Sequence, residues 1–144
     1  MRKLTILICL FFLLSSPAVS QAEEPDPVLW LKATSAVNNP TLIYFYIPDL
    51  LNSNTNYQVY EGYKIVTIWA LIITKENKTY KAKMQYYLNP NYKKTRTIEW
   101  TAFDKKGNID KANSGVNSSM KWDSILPESV GEENYNIVNR YANY

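Results

Sequence analysis

Residues 63–74, YKIVTIWALIIT, form the most apolar stretch of the chain outside its amino terminus. β-Branched and aromatic residues dominate this stretch, as is typical of a β-strand. In a strand, one face would carry Ile65, Thr67, Trp69, Leu71 and Ile73, and the other Val66, Ile68, Ala70 and Ile72. Because both faces are apolar, the pattern predicts a central strand that is covered on two sides, with a helix as one of the covers.

Strict alternation marks the next strand, residues 79–88 (TYKAKMQYYL). A period of two predicts one buried side and one solvent-facing side. The predicted buried side carries Tyr80, Ala82, Met84, Tyr86 and Leu88, and the predicted wet side Thr79, Lys81, Lys83, Gln85 and Tyr87. Residues 92–103 alternate again, and Gly107 in residues 104–108 (DKKGN) supplies the left-handed position that a hairpin loop needs.

Shorter segments flank these strands. Residues 28–33 and residues 41–47 (TLIYFYI) are predicted strands, because aromatic and β-branched residues are enriched in them. Residues 35–40 (SAVNNP) have the composition of a turn. Residues 48–57 and 111–119 are polar and are predicted to be loops.

The tryptophans are expected in the core or at its edge, since tryptophans in strands usually bury most of their ring. They are Trp30, Trp69, Trp100 and Trp122. Trp122 lies in residues 121–125 (KWDSI), which are predicted to return the chain to the body of the domain.

The period changes to that of a helix in residues 127–141. Ser129 and Glu132 fit a capping box, in which each side chain can bind the backbone of the other residue. The apolar stripe that an amphipathic helix requires consists of Val130, Ile137, Val138 and Tyr141. Strands come first and the one predicted helix comes last, so the sequence predicts a single antiparallel α+β domain.

Residues 1–22 have the pattern of a secretory signal peptide. Arg2 and Lys3 precede an unbroken apolar run at residues 4–14, which is shorter than the roughly 20 residues that span a bilayer. We therefore expect an exported protein whose mature part, residues 23–144, is one domain with no integral membrane segment.

The end of this leader offers two cleavage points, after Ser20 and after Ala22. Cys9 is the one cysteine of the chain, and it lies inside the apolar run. A lipoprotein signal would place its cysteine after the run. The mature chain is thus predicted to have neither a lipid anchor nor a disulfide.

The composition excludes several kinds of active site. The chain has no histidine, and its cysteine leaves with the leader, so Cys–His and Ser–His–Asp systems and thiolate or histidine metal sites are excluded. The carboxylate pairs Glu23–Glu24 and Glu132–Glu133 fit solvated or capping charges better than catalytic groups. We therefore predict a non-enzymatic protein without a cofactor.

The charge is nearly balanced. Of the 16 basic residues, Arg2 and Lys3 leave with the leader, so 14 face 13 acidic residues in the mature chain. Nothing in this balance favours a nucleic-acid partner.

Basic and tyrosine residues share the predicted sheet surface. The residues predicted to contact a protein ligand are Lys81, Lys83, Tyr87, Lys93, Lys94 and Arg96, with Tyr92 nearby. Such a surface suits an acidic partner, a glycan or an extended polypeptide. The alternative is that these lysines only keep the exposed side of the sheet soluble and discourage edge pairing.

Four segments follow one another in a distinctive order after a tryptophan-bearing first strand: TLIYFYIPDLL, KIVTIWALI, AFDKKGNI and MKWDSILPESVGEENYNIV. The most specific part comprises Trp122, Ile125, Pro127, Ser129, Gly131 and Glu132. Over residues 29–142 the chain resembles the surface-adhesin protein E family of Gram-negative bacteria. The resemblance implies an antiparallel, roughly six-stranded sheet with a C-terminal helix packed on its concave face. It also implies binding of host extracellular-matrix or serum proteins, and dimerisation.

The chain departs from that family in two respects. Family members commonly tether the helix to the sheet with two cysteines, whose places here match Leu88 or Asn89 and Asn139, so burial alone must hold the helix. The best-known adhesin is lipid-anchored, whereas this leader has no lipid-attachment motif, which puts surface display in question.

These observations favour an adhesin-like protein in the periplasm or on the outer surface, with a homodimer through an edge strand compatible with the fold. The alternatives are a periplasmic accessory or structural protein that binds another envelope component, and a small hydrolase that uses carboxylates alone. Two carboxylates facing each other across a cleft would favour the hydrolase.

Overall fold

The strand predicted at residues 63–74 lies within the sheet of a computed structural model that describes residues 25–33 and 41–144. The described residues form eight strands and two helices. In chain order they are β1 (Trp30–Lys32), β2 (Leu42–Tyr46), α1 (Ile47–Asn52), β3 (Gln58–Tyr60), β4 (Tyr63–Ile73), β5 (Thr79–Tyr87), β6 (Lys94–Phe103), β7 (Ile109–Val116), β8 (Asp123–Ser124) and α2 (Val130–Ala142). The predicted α+β class with a C-terminal helix is confirmed.

All the strands belong to one open antiparallel sheet with the order β1-β2-β4-β5-β6-β7. Two short strands lie off this path. β3 pairs with the beginning of β4, and β8 with the beginning of β6. The roughly six strands of the prediction correspond to the main path.

The core lies between one face of the sheet and the two helices. Phe45 of β2, together with Val66 and Ile68 of β4, is fully buried there, as are Leu50 of α1 and Val138 of α2. α1 and α2 provide the predicted helical cover for β4 on this side. The prediction of a cover on two sides is wrong, because no other helix or sheet of the described residues packs on the opposite face.

α1 and β7 account for the main differences from the prediction. Residues 48–57 were predicted to be a loop, yet α1 extends from Ile47 to Asn52, because Pro48 suits a first helical turn and Leu50 is fully buried. The carboxylate of Asp49 accepts a hydrogen bond from the backbone N–H of Trp69 at 2.8 Å. This bond anchors α1 to β4 between the parts of β4 that pair with β2 and with β3.

Residues 111–119 were also predicted to be a loop, but most of them belong to β7. Its two ends pair with β6, with a shift in register between them. Between these two ends, side-chain hydrogen bonds replace the backbone hydrogen bonds to β6. Ser114 Oγ donates to the carbonyl of Asp110 at 2.7 Å and accepts from the backbone N–H of Ala102 at 2.8 Å. Polar residues therefore build this strand edge.

The start of α2 confirms half of the predicted capping box. Ser129 Oγ accepts the backbone N–H of Glu132 at 3.2 Å. The Glu132 carboxylate does not return to Ser129; it accepts from the backbone N–H of Glu128 at 2.8 Å and pairs with the ammonium group of Lys93. One carboxylate thereby joins the helix start to the strand β6 that follows Lys93.

This arrangement predicts a pH dependence of stability. The hydrogen bond from Lys93 lowers the pKa of Glu132, and the one from the Glu128 backbone adds to the effect. A lowered pKa in the folded state stabilises the fold above the ordinary glutamate pKa, and this contribution is lost as the pH falls through the folded pKa. Denaturant titrations from pH 7 to pH 3 should show a smaller loss of stability for Glu132→Gln than for the parent protein. Glu76 and Asp104 also have lowered pKa values and remain in both proteins. An equal loss of stability between pH 7 and pH 3 for the parent protein and Glu132→Gln would contradict this role of Glu132.

Some predictions lie outside the described residues: the signal peptide 1–22 with Cys9 and its two cleavage points, and the turn at residues 35–40. Within the described ranges, neither helix has the length and apolarity of a membrane-spanning segment.

Candidate binding face of the sheet

The face of the sheet opposite α1 and α2 is called the open face here. Odd-numbered residues of β4 and β5 lie on it, because their even-numbered neighbours point into the core. Cross-strand pairing then brings Trp69, Lys83 and Glu99 into one row and Thr67, Gln85 and Arg96 into the next. The face that the sequence predicted from the alternation of β5 therefore exists, and each of its side chains has defined neighbours on the adjacent strands.

Trp69 is the centre of the first row. The ammonium groups of Lys81 and Lys83 lie 5.0 and 5.5 Å from the centroid of its ring. Lys83 also forms an ion pair with Glu99 at 3.7 Å, and both side chains are about 40% exposed, at 38% and 41%. An indole attracts cations through the negative face of its ring, so Trp69 holds two lysines at one place.

Arg96 ends the second row. Its Nε donates to the side-chain oxygen of Gln85 at 2.9 Å, and Gln85 donates to the hydroxyl of Thr67 at 3.1 Å. The guanidinium stacks 4.2 Å from the centroid of the Trp122 ring, and it also donates to the carbonyl of Met120 at 2.8 Å. These contacts fix Arg96 in place without neutralising its charge.

Tyr87 is the centre of an aromatic cluster at the same end of the sheet. Tyr60, Tyr63 and Trp122 surround its ring with centroid distances of 6.1, 5.8 and 6.0 Å. Tyr87 is 5% exposed and Gln85 is 8% exposed. The side of β5 that was predicted to face solvent is therefore buried at these two positions. Other aromatic side chains surround Tyr87, and Gln85 forms hydrogen bonds with both neighbouring strands.

Lys93 is separated from the other predicted contact residues. It precedes β6, pairs with Glu132 and lies 5.3 Å from the ring centroid of Tyr135 on α2. Lys94, its neighbour, pairs in register with Tyr87 on the open face. The structure thus places Lys81, Lys83, Lys94 and Arg96 on the same face of β5 and β6, spread along the length of the two strands. Tyr87 of β5 is buried on that face.

Positive charge dominates the open face. Glu99 forms an ion pair with Lys83. Within residues 25–33 and 41–144, the other cations of this face, Lys81, Lys94 and Arg96, form no ion pair. A shallow groove of about 440 Å³ adjoins Trp69 and Glu99, and Lys111 and Val116 of β7 form its outer wall. The arrangement can bind a ligand that offers negative charge and some apolar surface.

Sequence reasoning did not single out Trp69 as a candidate contact. The alternation of β4 places it on the same face as Ile65 and Leu71, but its proximity to the lysines depends on the β4–β5 register. All four tryptophans are partly exposed and none belongs to the buried core cluster. Among the described residues there is also no cluster of potential metal ligands.

Comparison of the chain with protein-family models, with curated proteins and with solved structures gave no match.

Proposed function

We propose that the mature chain is an exported, non-enzymatic binding protein that recognises a protein partner through its open face. The observation that carries this proposal is the partly exposed Trp69, flanked by the ammonium groups of Lys81 and Lys83. Tryptophan and arginine are enriched at the energetic centres of protein interfaces, and the open face carries both, in Trp69 and Arg96. A sheet face also needs little ordering on binding, since its side chains are already held by cross-strand contacts.

An adhesin-like role, with host extracellular-matrix or serum proteins as partners, follows from the family that the sequence resembles. The alternative is an accessory or structural protein of the periplasm that uses the same face to bind another envelope component. The basic and aromatic character of the face supports a binding role in either case, so the two candidates differ in where the partner is found.

Truncation of Trp69 tests the proposal. Solubilised extracellular matrix, whole serum and a detergent extract of the bacterial envelope are immobilised, and binding of the purified mature protein is measured on each. We expect Trp69→Ala to weaken binding to one of these surfaces by about tenfold, because the indole provides contact area and positions two cations. The matched control is Tyr144→Ala, which removes an exposed aromatic ring (90% exposed) at the carboxyl terminus. Equal binding by Trp69→Ala and the parent protein would contradict the proposal.

Protease treatment of intact cells separates the two candidates. Cells express the chain with its own leader, and the mature protein is followed before and after the outer membrane is opened. Cleavage on intact cells supports the adhesin-like role. Cleavage only after opening removes host proteins as partners and favours the envelope component.

A further inference from the structure

We propose that the open face binds an acidic, extended segment of its partner, and that the Glu99 carboxylate occupies the place of one carboxylate of that segment. The inference rests on the proposed function in taking the partner to be a protein. It adds the chemistry that the face recognises and assigns Glu99 the role of an internal competitor.

Charge complementarity is the first argument. Lys81, Lys83, Lys94 and Arg96 lie on two adjacent strands, and Glu99 is the described carboxylate that pairs with this group. The same complementarity disfavours a second copy of the chain on this face, since two such faces would place like charges opposite each other.

The spacing of the cations is the second argument. Lys81 and Lys83 are two residues apart on β5, and Lys94 and Arg96 are two residues apart on β6. Alternate residues of a strand lie about 6.6 Å apart along its axis. An extended polypeptide with acidic residues at alternate positions has the same period, so its carboxylates can meet successive cations.

The Glu99–Lys83 pair is the third argument. The two groups are 3.7 Å apart and partly exposed, and an ion pair in contact with solvent contributes little free energy. A carboxylate from outside can therefore replace Glu99 at small cost. The indole of Trp69 keeps both lysines in position while this exchange takes place.

The test uses two substitutions that each remove a charge, Glu99→Gln and Lys83→Gln, and that should change peptide binding in opposite directions. Two octapeptides with blocked ends are labelled at one end with a fluorophore: one alternates threonine and glutamate, and the other alternates threonine and glutamine. Fluorescence anisotropy measures their binding to the mature protein at 20 and 200 mM NaCl. We expect the glutamate peptide to bind more tightly than the glutamine peptide and to weaken in the higher salt.

Glu99→Gln should strengthen binding of the glutamate peptide by about two- to fivefold, because it removes the competitor and frees Lys83. Lys83→Gln should weaken it by a similar factor. The matched control is Lys105→Gln, which removes an exposed lysine in the β6–β7 turn and should leave binding unchanged. Thermal unfolding of each variant verifies that the fold is intact.

Several outcomes would overturn the inference. One is a Glu99→Gln variant that binds the glutamate peptide no better than the parent protein. Another is equal affinity for the two peptides. A third is that dextran sulfate or phosphatidylglycerol vesicles bind more tightly than the glutamate peptide with the same dependence on Lys83, which would assign the face to an anionic glycan or to a lipid surface. If the peptide fails while Trp69→Ala still weakens binding to matrix, serum or envelope extract, the acidic segment is wrong and the proposed function stands.

Discussion

Replacing Tyr87 with alanine should lower the free energy of unfolding by about 3–5 kcal/mol, the range found when a large buried aromatic side chain is truncated. The ring is 5% exposed and contacts Tyr60, Tyr63 and Trp122. Its removal leaves a cavity where β3, β4, β5 and the segment before β8 meet. Urea titration followed by tryptophan fluorescence measures the loss, and near-ultraviolet circular dichroism reports the aromatic cluster.

Tyr87→Phe is the matched variant. It keeps the ring and removes a hydroxyl that donates to the carboxylate of Glu61 at 3.4 Å, a long and therefore weak hydrogen bond. We expect the free energy of unfolding to fall by less than about 1 kcal/mol. If Tyr87 were instead a contact residue, as the sequence predicts, Tyr87→Ala would weaken ligand binding and leave the urea midpoint unchanged.

Replacing Gly115 with alanine should destabilise the protein by about 1–3 kcal/mol, because the added methyl group has no room. An ideal Cβ on Gly115 lies 2.7 Å from Cζ2 of Trp100, closer than two carbon atoms can approach. The Trp100 ring is held by a hydrogen bond of 2.8 Å from its Nε1 to the carbonyl of Asn113, so it cannot move without breaking that bond. The expected result is a lower urea midpoint and altered tryptophan fluorescence.

Gly131→Ala is the control for this substitution. A Cβ on Gly131 meets Ser129 Oγ at 3.4 Å and a methyl group of Ile125 at 3.5 Å, which are ordinary contacts. Because Gly131 lies in the first turn of α2, alanine should leave stability unchanged or raise it by up to about 1 kcal/mol. Equal effects of the two substitutions would show that crowding at Trp100 is not the cause.

The parts of the fold that follow from local patterns could be predicted from the sequence. β4 and β5 have long apolar or alternating patterns, and α2 has both a cap and an apolar stripe. α1 has only six residues, too few to display a helical period, and its anchor, Asp49, acts on a residue 20 positions away. β7 is polar at most of its inner positions, and side-chain hydrogen bonds replace the apolar alternation that would have identified it.

The candidate site was predictable only in part. Alternation placed Lys81 and Lys83 on one face, because that depends on one strand alone. The burial of Tyr87 depends on β3 and on Trp122, which are distant in sequence. The direction of Lys93 depends on Glu132, 39 residues further along the chain. No local pattern contains such information.

The side-chain bonds of β7 also bear on how the protein behaves at high concentration. An outer strand with a regular row of free N–H and C=O groups is a template on which another chain can grow as an additional strand. Here the middle of β7 leaves the ladder, and Asp110 uses its own side chain to hold the backbone N–H of Asn113 at 3.3 Å. The opposite outer strand, β1, is only three residues long. Asn113 therefore does not offer a free N–H to an added strand, and the interrupted ladder makes β7 a poor template for edge-to-edge growth into fibres.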